Sequence, residues 1–315
     1  MVKRVLLASP RGYCAGVERA VDTVERALRL YGRPVYVRKQ IVHNSHVVRE
    51  LEERGAVFAD TVDEVPEGAT LVFSAHGIAP AVRAAADARK LTTIDATCPL
   101  VTKVHTQARR FAADGYTVVL IGHAGHEEVE GTMGEAPDAI VLVESVEDAE
   151  ALELPAEARP AYITQTTLSV DETREIVEVL RRRFPDMAGP AKEDICYATS
   201  NRQWAVKELL DEIDLLLVVG SGNSSNSLRL VEVAHGGGVA AHLIEDASAI
   251  DESWLGGVTT VGVTSGASAP ERLVGDVCDW FRARGVEDVG AFRSAFEDVV
   301  FRLPVELRRA ERSAA

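Results

Sequence analysis

The sequence contains few cysteines and no long apolar run. Four cysteines occur in 315 residues, and no two of them form a CxxC pair. A disulfide-stabilised secreted scaffold is thereby excluded, because it would carry closely spaced cysteines. The apolar run near the N-terminus, Val5–Ala8, is too short for a signal-peptide core, and no stretch approaches membrane-spanning length. We therefore expect a cytoplasmic protein without a membrane partner, whose thiols are reduced or bound to metal.

Runs of Lys and Arg are also absent, and the chain is acidic. It has 34 Lys and Arg against 49 Asp and Glu, a formal net charge of −15. Such a surface repels polyanions, which excludes nucleic acid as a main partner. A small anionic substrate would have to be bound by local hydrogen-bond donors, against the overall field.

The order of predicted elements repeats three times along the chain. Strand-like apolar runs alternate with helical stripes, which predicts an α/β protein with mostly parallel sheets. In each third a cysteine opens a helix, and two units of strand, polar turn and helix follow. We predict three α/β lobes and a C-terminal tail that packs over them. The lobes span 14–97, 98–195 and 196–286, the last completed by an N-terminal strand in 1–13, and the tail spans 287–315.

Two arrangements of these elements are compatible with the pattern. One is a single long doubly wound sheet, in which the cysteines would be scattered. The other places three lobes in a pseudo-threefold arrangement around a central cluster site, because ligands bind at the carboxyl ends of parallel strands. The repeated position of the cysteine within each third favours the second arrangement.

Three of the cysteines occupy an unusual position. Cys14, Cys98 and Cys196 each open a helix beside Gly, Pro or Thr, whereas Cys278 lies among apolar helix residues and is interpreted as a buried structural residue. A helix N-terminus lowers the pKa of a thiol and favours the metal-binding thiolate. Structural zinc prefers a fourth protein ligand, while an iron–sulfur cluster held by three thiolates keeps one iron open.

Polar residues that follow strand ends form a second group of candidates. Imidazoles beside a phosphate would be cations and donors, and hydroxyls at a strand-to-helix junction are typical of an anion site. The junction "SGNSSNS" is not a P-loop, since it lacks GK[ST]. His105 and His242 are interpreted as structural. The candidates are His43, His76 and His126 in polar turns, Ser224, Ser225 and Asn226 in "SGNSSNS", and Ser268 in "GASAP".

Glu128 and Thr166 are candidates for proton transfer. Glu128 lies in the predicted turn "GHEEVEG", where a carboxyl could deliver a proton. Thr166 in "TQTT" follows a predicted strand and could pass a proton or hold an alcohol. Helix N-capping is an equally weighted role for Thr166.

Nine strings, in order from residue 10 to about residue 271, resemble the 4-hydroxy-3-methylbut-2-enyl diphosphate reductases, the iron–sulfur enzymes of the non-mevalonate isoprenoid pathway. They are "PRGYCAGVERA", "VHN", "FSAHG", "DATCPLVTKVH", "GHAGHEEVEGTMG", "TQTTLS", "DICYATSNRQ", "GSGNSSNS" and "GASAPE".

The resemblance implies three α/β lobes around a [4Fe-4S] cluster, which oxidation converts to [3Fe-4S]. It assigns cluster ligation to Cys14, Cys98 and Cys196, and catalysis to Glu128, Thr166 and His126. Substrate binding falls to His43, His76, His126, Thr166, Ser224, Ser225, Asn226 and Ser268.

The implied reaction is the reductive dehydroxylation of (E)-4-hydroxy-3-methylbut-2-enyl diphosphate to isopentenyl and dimethylallyl diphosphate. It uses two one-electron transfers from a donor such as ferredoxin or flavodoxin, together with protons. Two other functions explain part of the pattern: a cluster-binding sensor without turnover, and a zinc-dependent hydrolase of a phosphorylated substrate. The sequence defines no oligomeric state.

Overall fold

Strands and helices alternate along the chain. The computed structural model describes residues 1–314. Its strands are β1 (Arg4–Ser9), β2 (Val35–Arg38), β3 (Ala56–Ala59), β4 (Thr70–Phe73), β5 (Thr92–Asp95), β6 (Thr117–Ile121), β7 (Ile140–Val143), β8 (Pro160–Thr164), β9 (Leu215–Val219), β10 (Ala240–Ile244), β11 (Thr260–Ser265) and β12 (Asp288–Arg293).

The helices connect successive strands, and four short 3₁₀ turns add to them. No helix within residues 1–314 is long and apolar enough to cross a membrane. The helices are α1 (Ala15–Tyr31), α2 (Ser45–Glu53), α3 (Pro80–Ala88), α4 (Pro99–Ala113), α5 (Glu127–Met133), α6 (Val146–Ala151), α7 (Val170–Arg183), α8 (Tyr197–Leu209), α9 (Ser225–Gly236), α10 (Glu271–Arg282) and α11 (Val305–Ala314).

The strands form three sheets in which all pairings are parallel. The five-stranded sheet has the order β10-β9-β11-β1-β12, the four-stranded sheet β3-β2-β4-β5, and the three-stranded sheet β7-β6-β8. Parallel strands need crossover connections, which the helices supply. The predicted α/β class with three lobes is confirmed, and one continuous doubly wound sheet is excluded for the described residues.

By their contacts, the described residues divide into two compact units. Unit 1 consists of Met1–Val17, His43–Val48 and Tyr197–Val300, and it contains the five-stranded sheet. Unit 2 consists of Glu18–Val42, Arg49–Cys196 and the described residues from Phe301 onward, and it contains the other two sheets. The boundaries of the three lobes stay a prediction. Within unit 1, β1 lies between β11 and β12, so residues at both ends of the chain complete the sheet.

The central strands of unit 1 are buried on both faces. In β9, Leu215, Leu217 and Val219 pack into one core and Leu216 and Val218 into the other. Successive side chains of a strand point to opposite faces, so an uninterrupted apolar run fills both cores. In unit 2, β6 is built in the same way, between two cores of its own. The candidates Ser224 and His126 follow the carboxyl ends of β9 and β6, respectively.

Candidate active site

The three candidate cysteines have the same local structure. The residue after each cysteine is the first residue of a helix, namely of α1, α4 or α8. The backbone N–H of each cysteine donates to a carbonyl two residues beyond the end of a strand. The pairs are Cys14 with Ala267 O at 3.2 Å, Cys98 with Ala75 O at 2.9 Å, and Cys196 with Thr166 O at 3.0 Å. The predicted helix-start position of all three is therefore confirmed.

The fourth cysteine differs from these three. Cys278 is 3% exposed and packs in a core of unit 1 with residues such as Val274 and Phe281. Cys14, Cys98 and Cys196 are only partly buried, and no disulfide joins the cysteines. The prediction that Cys278 is a buried core residue is confirmed.

The pKa of Cys14 moves in the direction opposite to the sequence-based expectation. Burial raises the pKa of the Cys14 thiol, and this outweighs the lowering by Arg202 and by the backbone N–H groups of Gly16 and Val17. Loss of water destabilises the Cys14 thiolate more than the N–H groups at the start of α1 stabilise it. Cys14 therefore favours the thiol until a cation takes the place of the proton.

Hydroxyl and amide groups meet at the start of α9 in unit 1. Ser224 is the N-cap of α9, and its Oγ accepts from Ser227 N at 3.4 Å and lies 3.0 Å from Ser227 Oγ. Ser268 Oγ lies 3.5 Å from Ser224 Oγ and donates to His43 O at 2.9 Å. Thus Ser224, Ser268 and His43 are brought together in one unit, as the sequence suggests.

The helix α9 begins earlier than the sequence predicts. Ser225 and Asn226, expected in a turn, are its first two residues. Asn226 is 4% exposed, and its Oδ1 accepts from Ala267 N at 2.8 Å while its Nδ2 donates to Thr199 Oγ1 at 3.3 Å. The early start matters because the first backbone N–H groups of a helix lack intrahelical acceptors and attract anions.

Glu128 lies in a short helix of unit 2, where the sequence predicts a turn. That prediction is wrong: α5 spans Glu127–Met133, and His126 is its N-cap. His126 Nδ1 accepts from Glu128 N at 3.1 Å, so the imidazole replaces the serine or aspartate that usually caps a helix. The cap fixes the position of Glu128 in the first turn of α5.

Glu128 is 2% exposed and bonded to Thr166. Its Oε1 accepts from Thr166 N at 2.6 Å and its Oε2 from Thr166 Oγ1 at 3.0 Å. Burial raises the pKa of Glu128 to about 7, assisted by the charge of Asp194 and opposed by the two bonds from Thr166. A carboxyl that is half protonated at neutral pH is suited to general acid catalysis.

His76 is paired with an acid that the sequence did not single out. His76 Nδ1 lies 3.1 Å from Glu127 Oε2, and Ser74 Oγ donates to the same oxygen at 3.4 Å. The rings of His76 and His126 are 5.9 Å apart and almost perpendicular. Burial lowers the pKa of His76 to about 4, in the same direction as the charge of Lys39. His76 is therefore neutral at pH 7 and donates from Nδ1 to Glu127.

The remaining two histidines in question have structural contacts. His105 is 5% exposed, with Nδ1 2.8 Å from Glu135 Oε1. His242 stacks on Trp254 with ring centroids 3.7 Å apart. Both contacts agree with the structural interpretation.

Comparison with known proteins connects this geometry to a family. The model of the LytB protein family matches residues 5–282. The chain belongs to the LytB family. Proteins named 4-hydroxy-3-methylbut-2-enyl diphosphate reductase are 63% identical in Acidothermus cellulolyticus, over 98% of this chain and 91% of the relative, and 62% identical in Mycolicibacterium paratuberculosis, over 98% and 93%.

A solved LytB-like structure is similar throughout. The E-1-hydroxy-2-methyl-but-2-enyl-4-diphosphate reductase from Plasmodium falciparum is 38% identical, with a TM-score of 0.95 over 100% of this chain and 99% of that one. The resemblance stated from the sequence strings is confirmed, and the chain is an enzyme of this reductase family. All twelve predicted site residues lie inside the matched LytB region, and β12 and α11 lie beyond it.

Proposed function

We propose that the protein reduces (E)-4-hydroxy-3-methylbut-2-enyl diphosphate to isopentenyl and dimethylallyl diphosphate in the cytoplasm. The LytB relatives carry the name of this activity. The observation that carries the proposal is the local structure shared by Cys14, Cys98 and Cys196, each placed directly before a helix. A cluster-binding sensor would also need the three cysteines, but it would not need the buried Glu128 carboxyl bonded to Thr166.

The donor set fits an iron–sulfur cluster held by three thiolates. Cys278 is excluded as a fourth ligand by its place in the apolar core, which leaves three cysteines. Cys14 is partly buried and lies directly before α1, and a metal ion bound there would replace the proton of its thiol. A [4Fe-4S] cluster so bound, or [3Fe-4S] after oxidation, would supply one-electron transfer and an iron open to an oxygen ligand.

Unit 1 supplies donors for the diphosphate. We assign this role to Ser224, Ser225, Asn226, Ser268 and His43, at and near the start of α9. Each interaction with a helix N-terminus contributes about 0.3–1 kcal/mol at an exposed site, so several must act together. The bond from Ser227 Oγ to Ser224 Oγ and the bond from Ser268 Oγ to His43 O hold the hydroxyls in place before an anion arrives. We also assign diphosphate binding to His76 and His126, as the resemblance to the reductases implies.

Glu128 supplies the proton for the departing hydroxyl. In the overall change the allylic C–O bond breaks, two electrons and two protons are taken up, and the oxygen leaves as water. The protonated Glu128 carboxyl donates one proton to this oxygen, and the Thr166 hydroxyl holds the oxygen while it leaves. With a pKa of about 7 the Glu128 carboxyl gives up its proton more readily than water and still carries it at neutral pH. An external protein such as ferredoxin or flavodoxin supplies the electrons.

Anaerobic purification followed by metal analysis and turnover tests this function. We expect iron and acid-labile sulfide in the isolated chain, and both isoprenoid diphosphates after addition of reductant and substrate. Cys14→Ser should lose most of the iron, while Cys278→Ser, in the apolar core, should keep it. Zinc without sulfide would support the hydrolase instead, and a cluster that never consumes the diphosphate would support the sensor.

A further inference from the structure

A basic side chain follows each candidate cysteine on the helix that the cysteine precedes. It lies five residues after the first two cysteines and six after the third. The three are Arg19 in α1 after Cys14, Lys103 in α4 after Cys98, and Arg202 in α8 after Cys196.

Arg19 holds the segment that leads to Cys98. Its Nη1 donates to Ala96 O at 2.9 Å and to Thr97 O at 3.0 Å, and its Nε donates to Arg302 O at 2.8 Å. Within the described residues, Arg19 forms hydrogen bonds to backbone carbonyls alone. Its positive charge therefore has no carboxylate in direct contact.

Lys103 holds the segment that leads to Cys196. Its Nζ donates to Lys192 O at 2.8 Å and to Glu193 O at 2.7 Å, and it lies 3.0 Å from Asp194 Oδ1. The Asp194 side chain is fully buried, while 35% of the Lys103 side chain is exposed. Lys103 thus fixes three successive residues just before the cysteine.

Arg202 holds the segment that leads to Cys14. Its Nη2 donates to Gly12 O at 2.8 Å, and its Nη1 donates to Ala198 O at 2.9 Å and to Glu297 Oε1 at 3.1 Å. The Arg202 side chain is completely buried. Burying a guanidinium group against a carbonyl costs free energy, because the charged group must be removed from water.

These contacts close a cycle along the chain. The helix after the first cysteine holds the approach to the second, the helix after the second holds the approach to the third, and the helix after the third holds the approach to the first. A single Arg or Lys on a loop carbonyl is an ordinary tether. Three such contacts that connect the cysteine segments in cyclic order indicate a shared function.

We propose that Arg19, Lys103 and Arg202 are positioning residues that fix the three cysteine ligands and offset the negative charge of the bound cluster. The inference rests on the proposed function, since it takes the cysteines to be ligands. Three thiolates near one another repel, and nearby cations reduce that repulsion. Groups that orient metal ligands typically affect metal affinity about 10–100-fold when they are removed.

The three cations should differ in their effect on the reduction potential. Asp194 and Glu297 contact and partly neutralise Lys103 and Arg202, respectively, whereas Arg19 contacts carbonyls and interacts with the charges of Asp95 and Glu306 only without direct contact. Removal of Arg19 should therefore lower the cluster potential most. Arg19→Lys should keep the potential near the wild-type value but hold the Cys98 segment less firmly, since ammonium lacks the planar fork of guanidinium.

The test uses the anaerobically reconstituted full-length chain. Reduction potential is followed by a spectroscopic redox titration, and cluster retention by the rate of iron release to a chelator. Arg19→Gln and Lys103→Gln should lower the potential and release iron roughly tenfold faster. Arg29→Gln in α1 and Arg110→Gln in α4 are the controls, since their side chains are 63% and 80% exposed.

Neither readout depends on turnover, so the two proposals fail separately. A wild-type chain that holds a cluster without consuming the diphosphate would overturn the proposed activity and leave this inference testable. Variants Arg19→Gln and Lys103→Gln that match the controls in potential and iron release would overturn the inference alone. A fall in thermal stability without a change in potential or iron release would also overturn it, because a structural tether would give that result.

Discussion

The hydroxyl and amide candidates in unit 1 differ from the carboxyl and imidazole candidates in unit 2 in whether their side chains titrate. In unit 1, Ser224, Ser268 and Asn226 are neutral and bonded to their neighbours. In unit 2, Glu128 is buried and His76 is partly buried, and both are titratable. Burial raises the pKa of Glu128 to about 7 and lowers the pKa of His76 to about 4. The first group offers fixed dipoles, and the second offers groups that exchange protons.

This difference indicates a division of labour. Donors that are already oriented attract an anion without reorganising, and their strength does not change with pH. A buried acid with a raised pKa carries a proton at neutral pH and can release it to a reacting oxygen. We therefore expect substitutions of Ser224, Asn226 and Ser268 to act mainly on binding and substitution of Glu128 to act mainly on turnover.

The largest effect is expected for Glu128→Gln. The amide keeps the size of the side chain but cannot donate an acidic proton, so kcat should fall about 100- to 10,000-fold while KM stays within about threefold. Anaerobic steady-state kinetics with a chemical reductant measure both constants. Glu130→Gln, on the exposed side of α5, is the matched control. A kcat within tenfold of the wild-type value would remove Glu128 from the proton path.

The sequence predicts much of this comparison because the relevant patterns are local. The apolar run Val5–Ala8 and the prediction that Cys14 opens a helix correctly place Cys14 between β1 and α1. The hydroxyls of "SGNSSNS" lie where a strand gives way to a helix, and that junction is recognisable from composition. These patterns therefore predict where each candidate residue lies relative to the strands and helices along the chain.

Other features depend on contacts that are remote in sequence. Helix α5 is only seven residues long and contains Gly131, so propensity alone favours a turn. Its cap by His126 stabilises it, and a Cβ added at position 131 would come within 3.2 Å of the His105 ring, so the glycine leaves room for that ring. Glu127 looks the same as Glu128 in "GHEEVEG", and only the structure shows that one contacts His76 and the other Thr166.

Besides contacts between remote residues, the sequence does not provide the burial of each side chain. The direction of the Cys14 pKa is wrong in the sequence-based argument because the helix start is visible in the pattern and the loss of water is not. The cyclic contacts of Arg19, Lys103 and Arg202 are likewise invisible, since each joins segments far apart in the chain.

A smaller effect, confined to binding, is expected for Ser224→Ala. The change removes the α9 cap and one hydroxyl donor, together worth about 1.4 kcal/mol, so KM should rise roughly tenfold. The kcat should stay within about threefold, since the Glu128 carboxyl is untouched. Ser248→Ala, which removes an exposed hydroxyl bonded to Asp246 in the same unit, is the control. A fall in kcat with unchanged KM would contradict the assignment of unit 1 to binding.

The smallest effect is expected from pH alone. The active form of Glu128 is protonated, and its pKa is raised to about 7, so activity is present below this pH and lost as pH rises through it. Between pH 7 and pH 8 the protonated fraction falls from one half to about one tenth, which predicts a fivefold drop in kcat. Over the same interval the pKa of His76, about 4, leaves that ring neutral.

Binding should not follow this pH dependence. The hydroxyl and amide donors of unit 1 do not titrate, so the Kd of isopentenyl diphosphate, measured by calorimetry at pH 7 and pH 8, should change less than about twofold. A Kd that rises in parallel with the fall in kcat would mean that a group which titrates between pH 7 and pH 8 holds the anion. In that case the separation between neutral donors that bind and a Glu128 carboxyl that protonates would be wrong.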